Sequence, residues 1–245
     1  MLSLSDTVPS DWKYLNEGGR HIVFSYVGSP HVDFDNMVLR LRKINPDEQH
    51  TLASADNTEF TRQFHDQIIS KLVPAQYLPE MHTVQLDPEW LGALARQTEP
   101  ARPAVRAAKD QINVNAKHGI VCADLVGGKE WAVEIKPKWA FLPNPNFLSP
   151  ATFSTKTKHC RFCIHSAVRS LKGKGAATGY CPLDLFSKEE SRVRKALYEL
   201  WDTWNSTDAS TNNLRIFVSG TVTRPTDVSA IIQLQTSIYQ MIVIA

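Results

Sequence analysis

The segment from Trp131 to Leu142 constrains the fold more than any other stretch of this chain. It reads Trp-Ala-Val-Glu-Ile-Lys-Pro-Lys-Trp-Ala-Phe-Leu. On a strand, side chains two residues apart point to the same side, so Glu134, Lys136 and Lys138 would share one surface. A buried strand cannot carry three charges on one face without partners, hence that face meets solvent or a polar cleft. Pro137 removes a ladder donor and marks where the strand leaves its sheet. A charged edge strand that blocks aggregation would give the same alternation. Trp131 and Val133 before it, and Trp139, Phe141 and Leu142 after it, favour the lining of a site.

Charge along the chain points the same way. Between Lys129 and Lys174 stand nine basic residues against two acids, a net +7, so the rest of a chain whose total is +2 carries −5. Positive charge concentrated in an otherwise acidic protein suits an anionic ligand, whether phosphates, nucleic acid or a membrane surface. A solvated basic face would look alike. Hydrophobic residues are 42% and charged residues 21% of 245, ordinary globular usage with room for one large domain or two small lobes. No apolar run reaches the length of a membrane span, and the first residues lack the basic and apolar regions of a signal peptide. Four cysteines without secretory signals suit a reducing compartment, so the expected location is intracellular, in nucleus or cytoplasm.

Periodicity supplies the elements. Arg20–Val27 and Met37–Lys43 read as two strands of a hairpin, the second alternating Val38, Arg40 and Arg42 against Leu39, Leu41 and Lys43. Phe60, Phe64, Ile68 and Leu72 fall four apart and predict an amphipathic helix over 57–72. Asp87-Pro88-Glu89 is an N-terminal cap with proline at the first helical position. Gly119–Leu125 and Glu130–Ile135 read as adjacent strands. A helix is predicted over 158–171, and another after a capping box at Ser187-Lys188-Glu189-Glu190 that buries Val193, Leu197, Leu200, Trp201 and Trp204. Leu214–Ser219 is a strand, and the tail 228–244 shows helical spacing. The fold class is α+β, with an expected division into 1–120 and 121–245.

Further clusters carry chemistry. Arg161, His165 and Arg169 step by four, so a helix would stack two guanidinium groups and an imidazole along one stripe that a polyanion would neutralise. His159, Cys160, Cys163 and His165 include the zinc-like Cys-x-x-Cys spacing. On a helix, however, 160 and 163 share a face from which 159 and 165 diverge, so no metal ligand is assigned and the thiols are expected as small buried groups. Gly18-Gly19 before a strand could let backbone amides approach a phosphate, though such pairs are also ordinary turns. Asn212-Asn213-Leu214-Arg215 sets amides and a guanidinium at a strand start. Nucleic-acid binding would require aromatics interleaved among exposed cations, whereas Trp131, Trp139, Phe141 and Phe162 read as core.

Glu134-Ile135-Lys136-Pro137-Lys138, Arg161-Phe162 with His165, Pro182-Leu183-Asp184-Leu185-Phe186-Ser187 and Asn212-Asn213-Leu214-Arg215 together resemble the inositol-pentakisphosphate 2-kinases, the fungal type most. The resemblance runs from Tyr14 to about Thr223. It implies a two-lobed fold similar to protein kinases, and transfer of the ATP γ-phosphate, with Mg²⁺, to the 2-hydroxyl of inositol pentakisphosphate. By the same resemblance Gly18 and Gly19 form the nucleotide loop, Arg40 meets nucleotide phosphates, and Asp124 lies at the hinge that meets adenine. Glu134 takes the nucleotide side, Lys136 faces the transferred phosphate and Arg215 the nucleotide phosphates. Lys138 and Arg169 would bind inositol phosphates, Asn212 and Asn213 would contact the substrate, Arg161 and His165 would support the wall, and Arg106 is a further inositide ligand.

The substrate carries roughly ten negative charges, which would explain the +7 stretch. In this family the catalytic and metal-binding aspartates follow the Asn-Asn-x-Arg strand, whereas here Thr221–Ala245 contains a single acid, Asp227. The expectation is a monomeric chain with an incomplete C-terminal lobe, truncated relative to the family, that binds inositol polyphosphate and transfers little. A non-catalytic inositide-binding protein is the alternative.

Overall fold

The computed structural model describes residues 2–45, 58–127, 131–175 and 178–227. The chain divides into two compact units, Met1–Gly128 and Lys129–Ala245. The expected boundary at 120/121 falls inside a strand of the first unit. Among the described residues no helix is long and apolar enough to cross a membrane.

The first unit is built on a seven-stranded sheet. Its strands are β1 (Leu2–Ser3), β2 (Trp12–Glu17), β3 (His21–Tyr26), β4 (Met37–Ile44), β5 (Met81–Gln85), β6 (Gln111–Ile112) and β7 (His118–Ala123). The order is β1-β5-β7-β4-β3-β2, with β6 pairing the end of β4. Every pair is antiparallel except β1 with β5. The hairpin predicted from Arg20–Val27 and Met37–Lys43 is β3–β4, with Phe24 opposite Leu39 and Val23 opposite Arg40.

Strand alternation sorts β4 into two faces. Leu39 and Leu41 are fully buried, and they join Trp12, Ile22, Phe24 and Val121 in one core. Helix α3 (Pro88–Thr98) contributes Leu91 and Leu94 to that core. Its cap forms as predicted: Asp87 Oδ1 accepts from Trp90 N at 2.9 Å, and Pro88 is the first helical residue. Helix α1 (Thr58–Phe64) passes through a π-helical turn, His65–Ile69, into the short α2 (Ser70–Leu72). Phe60, Phe64, Ile68 and Leu72 of this predicted amphipathic segment are all exposed, so the apolar stripe stays outside the core.

The second unit holds a three-stranded antiparallel sheet, β8 (Trp131–Ile135), β9 (Leu214–Val218) and β10 (Thr221–Thr223), in the order β10-β9-β8. The expected adjacency of 119–125 and 130–135 is therefore corrected: β7 pairs β4 and β5, whereas β8 pairs β9. Short apolar runs in sequence do not specify which edge they join. Among the described residues the second unit adds four helices, α5 (Pro150–Lys156), α6 (Arg161–Leu171), α7 (Pro182–Leu185) and α8 (Glu190–Ser206), while the short α4 (Ala104–Ala107) belongs to the first unit. Ala196, Leu200 and Trp204 of α8 are buried against Leu214, Ile216 and Tyr180. The capping box does not form. Helix α8 begins two residues later than that box requires, with Glu189 as an uncapped N-terminus, and Ser187 Oγ instead accepts from Glu189 N at 3.1 Å. The predicted tail helix over 228–244 lies outside the described residues.

Candidate functional site

The β8–β9 register creates the site of the second unit. Trp131, Val133 and Ile135 pack toward the core, so Glu134 faces away from it, and pairing sets Glu134 directly opposite Arg215. Glu134 Oε2 lies 3.6 Å from Arg215 Nη1, and its Oε1 lies 3.3 Å from Lys136 Nζ. One carboxylate thus holds two cations. Side-chain exposures of 32–37% leave all three open to a ligand.

Past Ile135 the strand unravels in an ordered way. Lys136 N donates to Asn213 O at 2.8 Å, and Asn213 Nδ2 returns a bond to Lys136 O at 3.2 Å. Pro137 ends the ladder, and Tyr180 Oη, from a buried ring, donates to the Pro137 carbonyl at 2.8 Å. Lys138 then adopts φ 64°, a left-handed conformation uncommon for a residue with a Cβ. That turn, rather than continued strand alternation, brings Lys138 Nζ to Asn212 Oδ1 at 3.2 Å. Burial, and then the neighbouring Lys136 charge, hold the Lys138 ammonium below the ordinary lysine pKa, with Glu134 opposing them.

Contacts therefore bring together Glu134, Lys136, Lys138, Asn212, Asn213 and Arg215. Arg161 joins from α6 by a different route: its guanidinium carbon sits 5.0 Å from the Trp139 ring centroid, a cation–π contact. Trp139 stacks on Phe141 at 5.7 Å, and both rings are mostly exposed, so the expectation that they belong to the core is corrected. The chain turns them outward after Lys138. His165 and Arg169 lie further along the exposed stripe of α6, where Arg169 Nη2 is committed to the Lys174 carbonyl at 2.6 Å.

In the first unit, Arg40 occupies the non-core face of β4 between Val23 and Ile120. Arg42 and His21, paired across β3–β4, lie on the same face. Burial and then the surrounding guanidinium groups, Arg40 first, depress the His21 pKa, so this face is cationic without histidine's help. Cys122, raised by burial, is partly drawn back by Arg40. The Asp124 carboxylate accepts from Val126 N and Gly127 N at 2.9 and 2.6 Å and from Ser25 Oγ at 3.3 Å, so it shapes its own turn. Gly18 and Gly19 form the exposed tip of the β2–β3 hairpin, closed by Gly18 N donating to His21 O at 2.8 Å. Arg106 is half-buried on α4.

The sequence reading missed one thiol. Cys160 Sγ is 3.3 Å from Cys163 Sγ and 3.9 Å from Cys181 Sγ, and the three sulfurs lie within 4.8 Å of one another. They are the group among the described residues that could hold a thiophilic cation. His159 and His165 are not part of it. Burial and the adjacent thiols push Cys163 well above the usual thiol range. The seventeen residues between Cys163 and Cys181 concealed the grouping, since only the docking of α7 beside the start of α6 closes it.

The protein is of the α+β class, with cations on sheet positions of each unit that face away from the core, Arg40 and Arg42 on β4 and Lys136, Lys138 and Arg215 at the β8–β9 edge. A profile of the inositol-pentakisphosphate 2-kinase family matches residues 14–238. The chain is 37% identical over 232 residues to an inositol-pentakisphosphate 2-kinase of Cryptococcus neoformans, covering 91% of this chain and 54% of the relative. It is 30% identical over 226 residues to one of Danio rerio, covering 86% and 44%, and 27% identical over 252 residues to one of Arabidopsis thaliana, covering 89% and 54%. The chain belongs to the inositol-pentakisphosphate 2-kinase family. It spans about half the length of the curated relatives it matches.

Proposed function

We propose that this chain carries nucleotide- and inositide-binding residues of an enzyme that moves the ATP γ-phosphate to the 2-hydroxyl of inositol pentakisphosphate, giving the hexakisphosphate. The observation that carries the reading is the double link of Lys136 to Asn213 and Lys138 to Asn212, which presents two ammonium groups from one edge of a sheet. Phosphoryl transfer needs positioning and neutralisation more than covalent help from the protein. Lys136 would neutralise the transferred phosphate and Arg215 the nucleotide phosphates, and Glu134, which pairs with both cations, would give way to phosphate oxygens. Lys138 and Asn212 would hold the inositol phosphates, with Asn213 fixing the strand edge between them. Arg161, His165, Arg169 and Arg106 are proposed as outlying contacts for the same substrate. In the first unit, Gly18, Gly19 and Arg40 would meet ATP, and the turn shaped by Asp124 would meet its base through the backbone.

Mg²⁺ would enter with the nucleotide, since it is usually bound by one or two carboxylates together with phosphate oxygens. Glu134, the carboxylate of this constellation, is engaged with Lys136 and Arg215, so no residue is assigned to the metal and no step is routed through it.

Calorimetry with inositol pentakisphosphate and with ATP tests the reading. The parent chain is expected to bind both, and Lys138→Ala to lose roughly 1.5–3 kcal/mol toward the inositide alone, the range for a charged hydrogen bond. Conversion of labelled pentakisphosphate with ATP then measures transfer. A parent that binds neither ligand would overturn the reading.

A further inference from the structure

Four charged side chains of the first unit, none of them used in the reading above, form a closed ion square. Glu17 Oε2 accepts from Lys43 Nζ at 2.6 Å and from Arg102 Nη2 at 2.9 Å. Asp110 Oδ1 accepts from the same two cations at 2.9 and 2.8 Å. None of the four side chains is more than 8% exposed. Arg102 completes the set by donating from Nε to Glu17 Oε1 at 3.2 Å and from Nη1 to the Asp110 carbonyl at 2.8 Å. Burial alone would raise the Glu17 carboxyl, but hydrogen bonds from Arg102 and Lys43 hold it below the ordinary range, and the exposed Glu99 adds a further carboxylate to Arg102 at 3.3 Å from Nη1.

A buried ion network is a weak source of stability, because desolvation offsets much of its attraction. What it supplies is direction: the bidentate guanidinium fixes the position of its carboxylate partner. The partner here is the last residue of β2, directly before Gly18 and Gly19. The fold itself demands neither glycine. Neither has a positive φ; a Cβ at Gly18 would meet only the His21 carbonyl at 4.0 Å, and one at Gly19 would meet nothing. The space beside this bare backbone is left to something else, and a hairpin tip without side chains is prone to fray.

We infer that Arg102, together with Lys43 and Asp110, is a positioning residue that holds the Glu17-Gly18-Gly19 turn in the geometry that receives nucleotide phosphates, without touching the nucleotide. This rests on the ATP-binding reading above. Lys43, on the opposite face of β4 from Arg40, thereby acquires a role that alternation alone would have given to the core.

The test compares ATP and inositol pentakisphosphate affinities, and melting temperature, of the 245-residue chain with Arg102→Met and Arg102→Lys. The expected result is ATP binding weakened at least ~10-fold by Arg102→Met, about the worth of one charged hydrogen bond, and partly restored by Arg102→Lys. Inositol pentakisphosphate affinity should stay unchanged in both. A merely structural role would lower both affinities together with the melting temperature. A parent that binds ATP while both variants bind it equally well overturns the positioning role and leaves the nucleotide reading standing. A parent that binds no ATP overturns both. Should Arg102→Met fail to fold, hydrogen exchange on the parent decides: the Glu17 and Gly18 amides are expected to exchange as slowly as those of β2, and exchange at open-loop rates would overturn the inference.

Discussion

Lys138 shows how much one residue can be asked to do. Its left-handed backbone costs on the order of 1 kcal/mol for a side chain with a Cβ, and that strain is tolerated because Pro137 and Asn212 fix both sides of the turn. Its ammonium is held below the usual lysine range by burial and by Lys136. A polyanion reverses both effects by replacing lost water with opposite charge. The sign follows: free Lys138 gives up its proton at lower pH than an ordinary lysine, and only the protonated form binds phosphate well. Inositol pentakisphosphate affinity should therefore decline with rising pH earlier in the alkaline range than surface lysines would cause. Lys138→Arg, which stays charged, should flatten that decline in titrations run across the same buffers. Identical pH profiles for the two proteins would remove Lys138 from the ligand's immediate surroundings.

At the scale of elements, the strands were the readable part. Alternation in Met37–Lys43 identified both faces of β4, and Glu134 could be turned outward from its neighbours alone. What alternation could not give is which strand lies beside which, so β7 and β8 looked adjacent although they serve different sheets. The site residues Lys136, Lys138, Asn212, Asn213 and Arg215 were legible as types at strand ends, but their mutual bonds depend on a register across more than seventy residues. Buried charge was invisible: Lys43 and Arg102 look like surface residues in sequence, and only the arrival of Glu17 and Asp110 makes their burial affordable. The stripe of Phe60, Phe64, Ile68 and Leu72 was legible as spacing but its exposure was not, since amphipathic spacing states what a helix can bury and not how much of it is covered. Tyr180 is a further element-level link that no pattern announced, tying the segment before α7 to Pro137. Burial, with the neighbouring cysteines, pushes its hydroxyl up to about 12, so it remains a donor throughout the physiological range. Tyr180→Phe should destabilise the protein by about 1 kcal/mol, a typical buried hydrogen bond, and should also weaken inositide binding by freeing the Lys138 turn. Denaturant unfolding alongside calorimetry separates the two effects; lost stability with intact affinity would show that the turn holds without the hydroxyl.

Over the whole molecule, charge is sorted by burial. The ion square of the first unit is closed to solvent, whereas among the described cations of the second unit Lys156, Arg161, Arg169 and Lys172 are exposed and Lys136 and Arg215 partly so. Mobile ions screen the second kind over a Debye length of ~10 Å at 0.1 M and reach the first kind far less. Stability and binding should thus respond differently to the same change of solvent. Raising salt from ~0.05 M to ~0.5 M is expected to weaken inositol pentakisphosphate binding by an order of magnitude or more, because many partly exposed cations face roughly ten phosphate charges. The same change should move the melting temperature by only a few degrees, about what a kcal/mol does in a chain of this size. Removing Lys138 should reduce the slope of affinity against salt, as one fewer ion contact is made. Because the Glu17-Gly18-Gly19 turn proposed to meet ATP is held by buried rather than screened charges, its geometry should survive the salt series, leaving the proposed attraction of Arg40 and Arg215 for nucleotide phosphates to decline. A melting temperature that falls steeply with salt while inositide affinity stays level would mean that the solvent-facing charges hold the fold together and that the ligand is gripped by something other than its phosphates.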